Sequence, residues 1–299
     1  MCIRDRLYAP DNTPGNKTLF SKSVARTLLA KIYAEKPLRD YTKVIQYCDE
    51  VKEDGFDLVD DFSDLFGMNA AGTDAKMRNT KESILEAQFT SGAGNWCTWM
   101  FGRDLVNWNN NFTWAKWVTP SRDLISAFKQ EGDEVRFKES IVYYDCNWSN
   151  YYPSDNYPFM YKCRSANSSI IKYRYADVLL LKAEALIMQD TPDLEGAADI
   201  IDEVRDRAKL GALPTSVRSN KNVLLNALLK ERRLELAFEG QRWFDLVRLD
   251  KVEEVMNAVY AKDSGRKAQI YTFDKNSYRL PIPQSVIDAN DKIHQNPGY

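Results

Sequence analysis

The sequence predicts a mostly α-helical protein in which tetratricopeptide-like helical hairpins carry a large, loop-rich insertion. Three observations predict this fold class. One spacing of apolar residues occurs twice along the 299-residue chain, each time over a length that suits two short helices. Leucine-rich segments with helical periodicity follow the second copy. Between the two copies lies a stretch rich in glycine, proline, asparagine and tryptophan that is typical of loops.

The repeated pattern begins at an alanine and continues at offsets of 3, 11, 14 and 18 residues. The first copy consists of Ala30, Tyr33, Tyr41, Val44 and Cys48, and the second of Ala183, Leu186, Leu194, Ala197 and Ile201. Pro37 and Pro192 lie inside the two copies, at points where a proline breaks a helix. Each copy is therefore predicted to be a helical hairpin, over residues 21–54 and 173–209.

We predict a single domain over residues 1–299, truncated at its amino terminus. It comprises a helical pair (17–58), a loop-rich insertion (60–172), a second helical pair with long helices (173–262) and a carboxy-terminal irregular segment (263–299). A helix over 222–239, ended by Gly240, is predicted to stack on the hairpins, and another to run from Arg242 to Tyr260. In the insertion, residues 83–89 and 141–144 are predicted strands, and Thr119 is predicted to be the N-cap of a short helix whose first residue is Pro120.

The composition argues against several classes of function. The 41 Lys and Arg residues nearly balance the 43 Asp and Glu residues, so the chain has no general field that attracts nucleic acid or an anionic membrane. Residues 92–150 are slightly acidic, which is the wrong sign for a nucleic-acid groove. The sequence contains neither the roughly 18 consecutive apolar residues of a spanning helix nor a signal peptide. We expect the chain to be a fragment whose amino-terminal part is missing.

No catalytic residue, metal site or cofactor is predicted. The five cysteines form no C-x-x-C pair, and with the single His294 they lack the spacing of a zinc site. The sequence leaves a Cys146–Cys163 disulfide open. Motifs of serine hydrolases, zinc proteases and P-loop proteins are absent. Glu231 and Glu235 lie one helical turn apart beside arginines, which predicts salt bridges between packed helices instead of a glycosidase acid pair.

Tryptophan and asparagine are concentrated in one part of the insertion. Six of the seven tryptophans lie between positions 96 and 148, interleaved with asparagines. Indole rings stack on the apolar face of a sugar ring, and amides exchange hydrogen bonds with its hydroxyl groups. This pattern predicts a carbohydrate-binding surface. Its candidate residues are Trp96, Trp99, Trp108, Trp114, Asn107 and Asn109, whereas Trp117 and Trp148 are interpreted as packing residues.

Three motifs of the carboxy-terminal part resemble those of the SusD/RagB family. They are YRYADVLLLKAEA at 173–185, KERRLELAFEGQRWFDL at 230–246, and YRLPIP at 278–283 with the terminal QNPGY at 295–299. Weaker signals at 82–84 and 120–128 occur in the same order, so the resemblance extends over essentially the whole chain from Lys17.

The resemblance implies a SusD-like fold and a function in polysaccharide utilisation. Such a protein is a lipoprotein exposed at the surface of the outer membrane in Bacteroidota. It captures oligosaccharide or polysaccharide and passes it to a SusC-like TonB-dependent transporter, without catalysis, cofactor or nucleic acid. In this family the amino-terminal half also contributes to the glycan site, so the candidate residues are expected to form only part of it.

Two other functions stay open at this point. A glycan-active enzyme would release new reducing ends from a polysaccharide. A helical-repeat adaptor would bind peptides in a concave groove, which an insertion as large as residues 60–172 would obstruct.

Overall fold

A computed structural model describes residues 16–90, 94–95, 119–146, 149–262 and 272–299. The chain divides into two compact units, Met1–Gln241 and Arg242–Tyr299. None of the helices in the described ranges is both long enough and apolar enough to cross a lipid bilayer.

The first hairpin consists of α1 (Lys22–Ala34) and α2 (Tyr41–Glu53). The hydroxyl of Ser21 and the carboxylate of Asp40 accept backbone N–H bonds at the two helix starts, as good N-caps do. Pro37 lies in a single 3₁₀ turn between the helices. The prediction of a helical hairpin over residues 21–54 is therefore confirmed.

The second hairpin consists of α6 (Tyr175–Met188) and α7 (Leu194–Arg207), which α8 (Thr215–Arg218) and α9 (Lys221–Glu235) follow. Helix α6 is buried on nearly all sides because α1, α2, α7 and α9 all pack against it. Leu180, Ile187 and Ile201 have no exposed surface, and burial of each stabilises the fold by about 1.5–3 kcal/mol. This stack of helices forms the main core of the first unit.

The insertion contains three short helices and four strands among its described residues. The helices are α3 (Ser63–Phe66), α4 (Arg122–Glu131) and α5 (Glu134–Ser140), and the strands are β1 (Ser83–Ala87), β2 (Ile141–Tyr144), β3 (Tyr157–Met160) and β4 (Ile170–Arg174). Strand β1 pairs antiparallel with β4, and β2 pairs antiparallel with β3 from Ile141–Met160 to Tyr144–Tyr157. Both predicted strands are present, although the first ends at Ala87.

The second unit contains α10 (Arg242–Arg248), α11 (Val252–Lys262) and α12 (Gln284–Asp288). The prediction of one helix from Arg242 to Tyr260 is wrong, because a turn separates α10 from α11. Asp250 has a φ of 55°, and the N–H groups of Asp250 and Lys251 bond back to the carbonyls of Val247 and Leu246. This hydrogen-bond pattern is the Schellman motif that ends helices.

Candidate functional site

The candidate residues for carbohydrate binding lie outside the described residues. They are Trp96, Trp99, Trp108, Trp114, Asn107 and Asn109, and the interpretation of Trp117 and Trp148 as packing residues falls there as well. The structure describes the residues that flank this segment, Asn95 before it and Thr119 after it. These flanks show what the segment is attached to.

The start of the segment is attached through Asn95. Its backbone N–H donates to the carbonyl of Ala166 at 2.7 Å, and its side-chain amide donates to the carbonyl of Ser168 at 2.9 Å and to Sγ of Cys163 at 3.0 Å. Asn95 is only 1% exposed, so these bonds are shielded from water. The chain therefore enters the tryptophan-rich segment from a fixed point on the loop that precedes β4.

The end of the segment is attached to the β2–β3 hairpin. The Thr119 hydroxyl lies 3.1 Å from the Tyr157 hydroxyl, and the Tyr152 hydroxyl donates to the carbonyl of Pro120 at 2.7 Å. The Arg122 guanidinium lies 4.1 Å and 4.4 Å from the ring centroids of Tyr151 and Tyr152, which is cation–π geometry. The helix itself begins at Arg122 with Ser121 as its N-cap, so the prediction of Thr119 as the cap is wrong.

An aromatic cluster supports this hairpin. Tyr151 and Tyr152 meet edge to face at 5.0 Å between centroids, Tyr152 and Tyr157 at 5.6 Å, and Tyr157 and Phe159 lie 5.2 Å apart. Tyr151 and Tyr152 are half-buried, so each ring combines a packed edge with accessible surface. Sequence analysis missed these tyrosines, although the run Tyr-Tyr-Pro at 151–153 was a visible signal.

A buried network of charges joins the insertion to α9, and Glu235 is at its centre. The carboxylate of Glu235, which has no exposed surface, receives the guanidinium groups of Arg136, Arg174 and Arg207. Arg136 also contacts Glu231 at 2.5 Å. Because α5, β4 and α7 supply these arginines, Glu235 ties three elements to one helix.

Arg174 extends the network to two further carboxylates, those of Glu82 and Glu239. Its guanidinium contacts Glu82 at 2.8 Å and Glu239 at 2.7 Å. The ammonium of Lys162 donates to Glu239 at 2.6 Å and to the carbonyl of Glu235 at 2.8 Å. The salt bridges that sequence analysis predicted between packed helices are thus present. Their basic partners come from the insertion, from β4 and from α7.

The electrostatics of the network differ between its carboxylates. Burial raises the pKa of Glu231, although Arg136 and Arg205 oppose this shift. For Glu235, burial acts in the same direction, but its three arginines outweigh it and hold the pKa well below the usual range. Glu231 is 2% exposed and is occupied by guanidinium groups, so it offers no open position for a substrate.

No metal-binding arrangement of three or more Cys, His, Asp or Glu residues occurs within the described ranges. Cys48 is a buried thiol, and burial raises its pKa well above the usual range, which makes it unreactive. Cys146 and Cys163 are not joined by a disulfide.

The closing motif of the chain has a structural basis within the second unit. The Gln295 side-chain amide exchanges two hydrogen bonds with the backbone of Ile282, at 2.8 Å and 2.9 Å, and the Asn296 amide donates to the carbonyl of Leu280 at 2.7 Å. Gly298 has a φ of 97°, and a Cβ atom there would lie 2.6 Å from Cβ of Asn276. Only glycine fits that position, so the spacing of the Pro-Ile-Pro and Asn-Pro-Gly-Tyr sequences has a physical cause.

Comparison with known proteins identifies the family. Residues 152–299 match the model of the SusD family. The chain belongs to the SusD family. It is 36% identical over 143 residues to SusD-like protein P2 of Formosa agariphila, an overlap that covers 46% of this chain and 27% of that protein.

Solved structures confirm the fold class of this SusD family member. A SusD homolog from Bacteroides thetaiotaomicron superposes with a TM-score of 0.76 at 21% identity, over 99% of this chain and 68% of that one. A laminarin binding SusD-like protein superposes with a TM-score of 0.67 at 24% identity, over 95% of this chain and 64% of that one. The segments of this chain that match two curated SusD-like relatives cover 19% and 27% of the length of those proteins.

Proposed function

We propose that this SusD family chain is part of a cell-surface lipoprotein that binds glycans at the outer membrane. It captures oligosaccharide or polysaccharide and passes it to a SusC-like TonB-dependent transporter. The name of the laminarin binding SusD-like protein, whose fold this chain shares, supports a glycan as the ligand. The transporter and the location rest on the family resemblance.

The observation that carries the proposal is the attachment of the tryptophan-rich segment. Its start is bonded to the loop before β4 through buried Asn95, and its end is bonded to the β2–β3 hairpin through Thr119 and Pro120. Fixed ends reduce the conformational entropy that a binding loop loses when it captures a ligand. Trp96, Trp99, Trp108, Trp114, Asn107 and Asn109 are the residues we propose for sugar binding.

Binding without catalysis is part of this proposal. The carboxylates that most resemble a catalytic pair, Glu231 and Glu235, are buried and bonded to arginines. A glycosidase needs one acid and one base on either side of the scissile bond, accessible to the sugar. The arrangement of Glu231 and Glu235 therefore supports a receptor over a glycan-active enzyme.

Single alanine variants of Trp96, Trp99, Trp108 and Trp114 test the binding surface. Loss of a stacking ring is expected to weaken glycan binding by about 1–3 kcal/mol, by analogy with base stacking on aromatic side chains. Calorimetry with the cognate glycan measures the affinity, and thermal melts report folding. Phe244→Ala is the matched control, because Phe244 is a 61% exposed aromatic residue outside the insertion. If no tryptophan variant binds more weakly than this control, the proposed site is wrong.

A further inference from the structure

A cavity of about 470 Å³ lies in the first unit, and none of the residues proposed for sugar binding is among the described residues that line it. It is formed by the end of β3, strand β4, the end of α3 and the turn after α9. Its volume falls in the range of about 300–1,000 Å³ that is typical of small-molecule sites. One large apolar side chain from a partner would leave much of this volume unfilled.

The wall of the cavity is largely apolar. Phe66, Met160, Ile170, Ile171 and Phe238 supply most of it. A sugar placed there would bring many hydroxyl groups against apolar side chains, where they lose hydrogen bonds to water and few polar groups replace them. The cavity therefore suits a ligand with an apolar body and differs in chemistry from the tryptophan and asparagine surface.

One wall residue has an unusual backbone conformation. Phe238 has a φ of 65°, in the left-handed region that non-glycine residues rarely adopt, and a bulky side chain makes this less favourable still. Strain of this kind persists where the surroundings enforce it, and it concentrates at ligand sites. The strained residue, Phe238, contributes its aromatic side chain to the cavity wall, next to Glu239 and Gly240.

The charged lining of the cavity is cationic overall. It consists of Lys162, Lys172 and Glu239. Glu239 accepts from Lys162 at 2.6 Å and from Arg174 at 2.7 Å and 2.8 Å, so Lys162 is paired and the surplus positive charge of the lining is that of Lys172. Burial lowers the pKa of Lys162 to about 8, and its ammonium is therefore still mainly charged at pH 7. Lys172 is exposed and forms no ion pair with any described residue.

We propose that this cavity binds an amphiphilic carboxylate, with its apolar body against the wall and its carboxylate next to Lys172. The apolar lining favours a ligand with an apolar body, and the surplus positive charge favours a ligand with a negative charge. This site goes beyond the proposed glycan capture and does not depend on it.

Octanoate is a suitable probe, with octanol as a neutral analogue of the same apolar body. Calorimetry at pH 7 is expected to detect octanoate binding to the wild-type protein and about tenfold weaker binding of octanol, which lacks the charge-assisted contact. Lys172→Ala is expected to weaken octanoate binding by about fivefold, a size typical of a partly exposed charge pair. Lys138→Ala, at an exposed lysine on α5, should leave the affinity unchanged.

A second variant tests the location of the site. Ile170→Trp places a larger side chain in the cavity wall and is expected to abolish octanoate binding, while a thermal melt reports whether the protein is folded. Any one of three results would overturn the proposal. These are the absence of octanoate binding at millimolar concentration, equal affinity for octanol, and wild-type affinity in Lys172→Ala or in folded Ile170→Trp.

Discussion

Replacement of Arg174 by methionine is expected to lower the free energy of unfolding by about 3–5 kcal/mol, because it breaks a buried ion network. Arg174 is 1% exposed, and its guanidinium contacts the carboxylates of Glu82, Glu235 and Glu239. Methionine fills a similar volume but leaves these buried carboxylates with fewer cations. Chemical denaturation at pH 7 measures the loss.

Arg218→Met is the matched control for this variant. Arg218 also contacts three carboxylates, those of Glu195, Asp199 and Asp202, but the first two are 72% and 68% exposed. Solvent screens such pairs, so the control is expected to cost at most about 1 kcal/mol. If Arg174→Met is no more destabilising than Arg218→Met, the buried network does not join the insertion to the helical stack as we describe.

Asp177→Asn is expected to destabilise the protein by about 3 kcal/mol at pH 7, again by removing one partner of a buried charge cluster. Asp177 lies on α6 and accepts from Lys31 of α1 at 2.6 Å and from Arg232 of α9 at 2.8 Å. Burial alone would raise the pKa of Asp177, but these two cations outweigh it and lower the pKa well below the usual range.

This shift gives the effect of Asp177→Asn a defined pH dependence. A carboxylate whose pKa is lower in the folded state stabilises the fold above its unfolded pKa, near 4, and this contribution is lost as the pH falls below that value. The difference in stability between wild type and Asp177→Asn should therefore shrink from pH 5 to pH 3. The control is Asp49→Asn, at a 44% exposed carboxylate paired with Lys182. A wild-type–variant difference that does not change with pH would refute the role assigned to Asp177.

The helical hairpins were predictable because their signal is local. The apolar positions of α6 and α7 recur at helical spacing, and a proline or an N-cap residue marks each turn. The break between α10 and α11 lacked such a signal, since no glycine or proline occurs between Arg242 and Tyr260. Asp250 adopts the left-handed conformation there, which aspartate tolerates better than most residues.

The surroundings of the candidate site were less predictable because they depend on contacts between distant residues. The Thr119 hydroxyl bonds to Tyr157 instead of capping α4, and Arg122 lies over Tyr151 and Tyr152, which are about thirty positions away in the sequence. Likewise, the glutamates of 231–239 were interpreted correctly as salt-bridge residues. Their partners Arg136 and Arg174, however, come from elements whose packing no local pattern reveals.

A glycan array combined with a reducing-end assay is the most direct test of the central claim, which is that this SusD family chain belongs to a glycan receptor. The proposed function predicts that the protein retains one or more oligosaccharides or polysaccharides and releases no new reducing ends from them. Reproducible release of reducing ends, or failure to retain any glycan while the protein is folded, would contradict it.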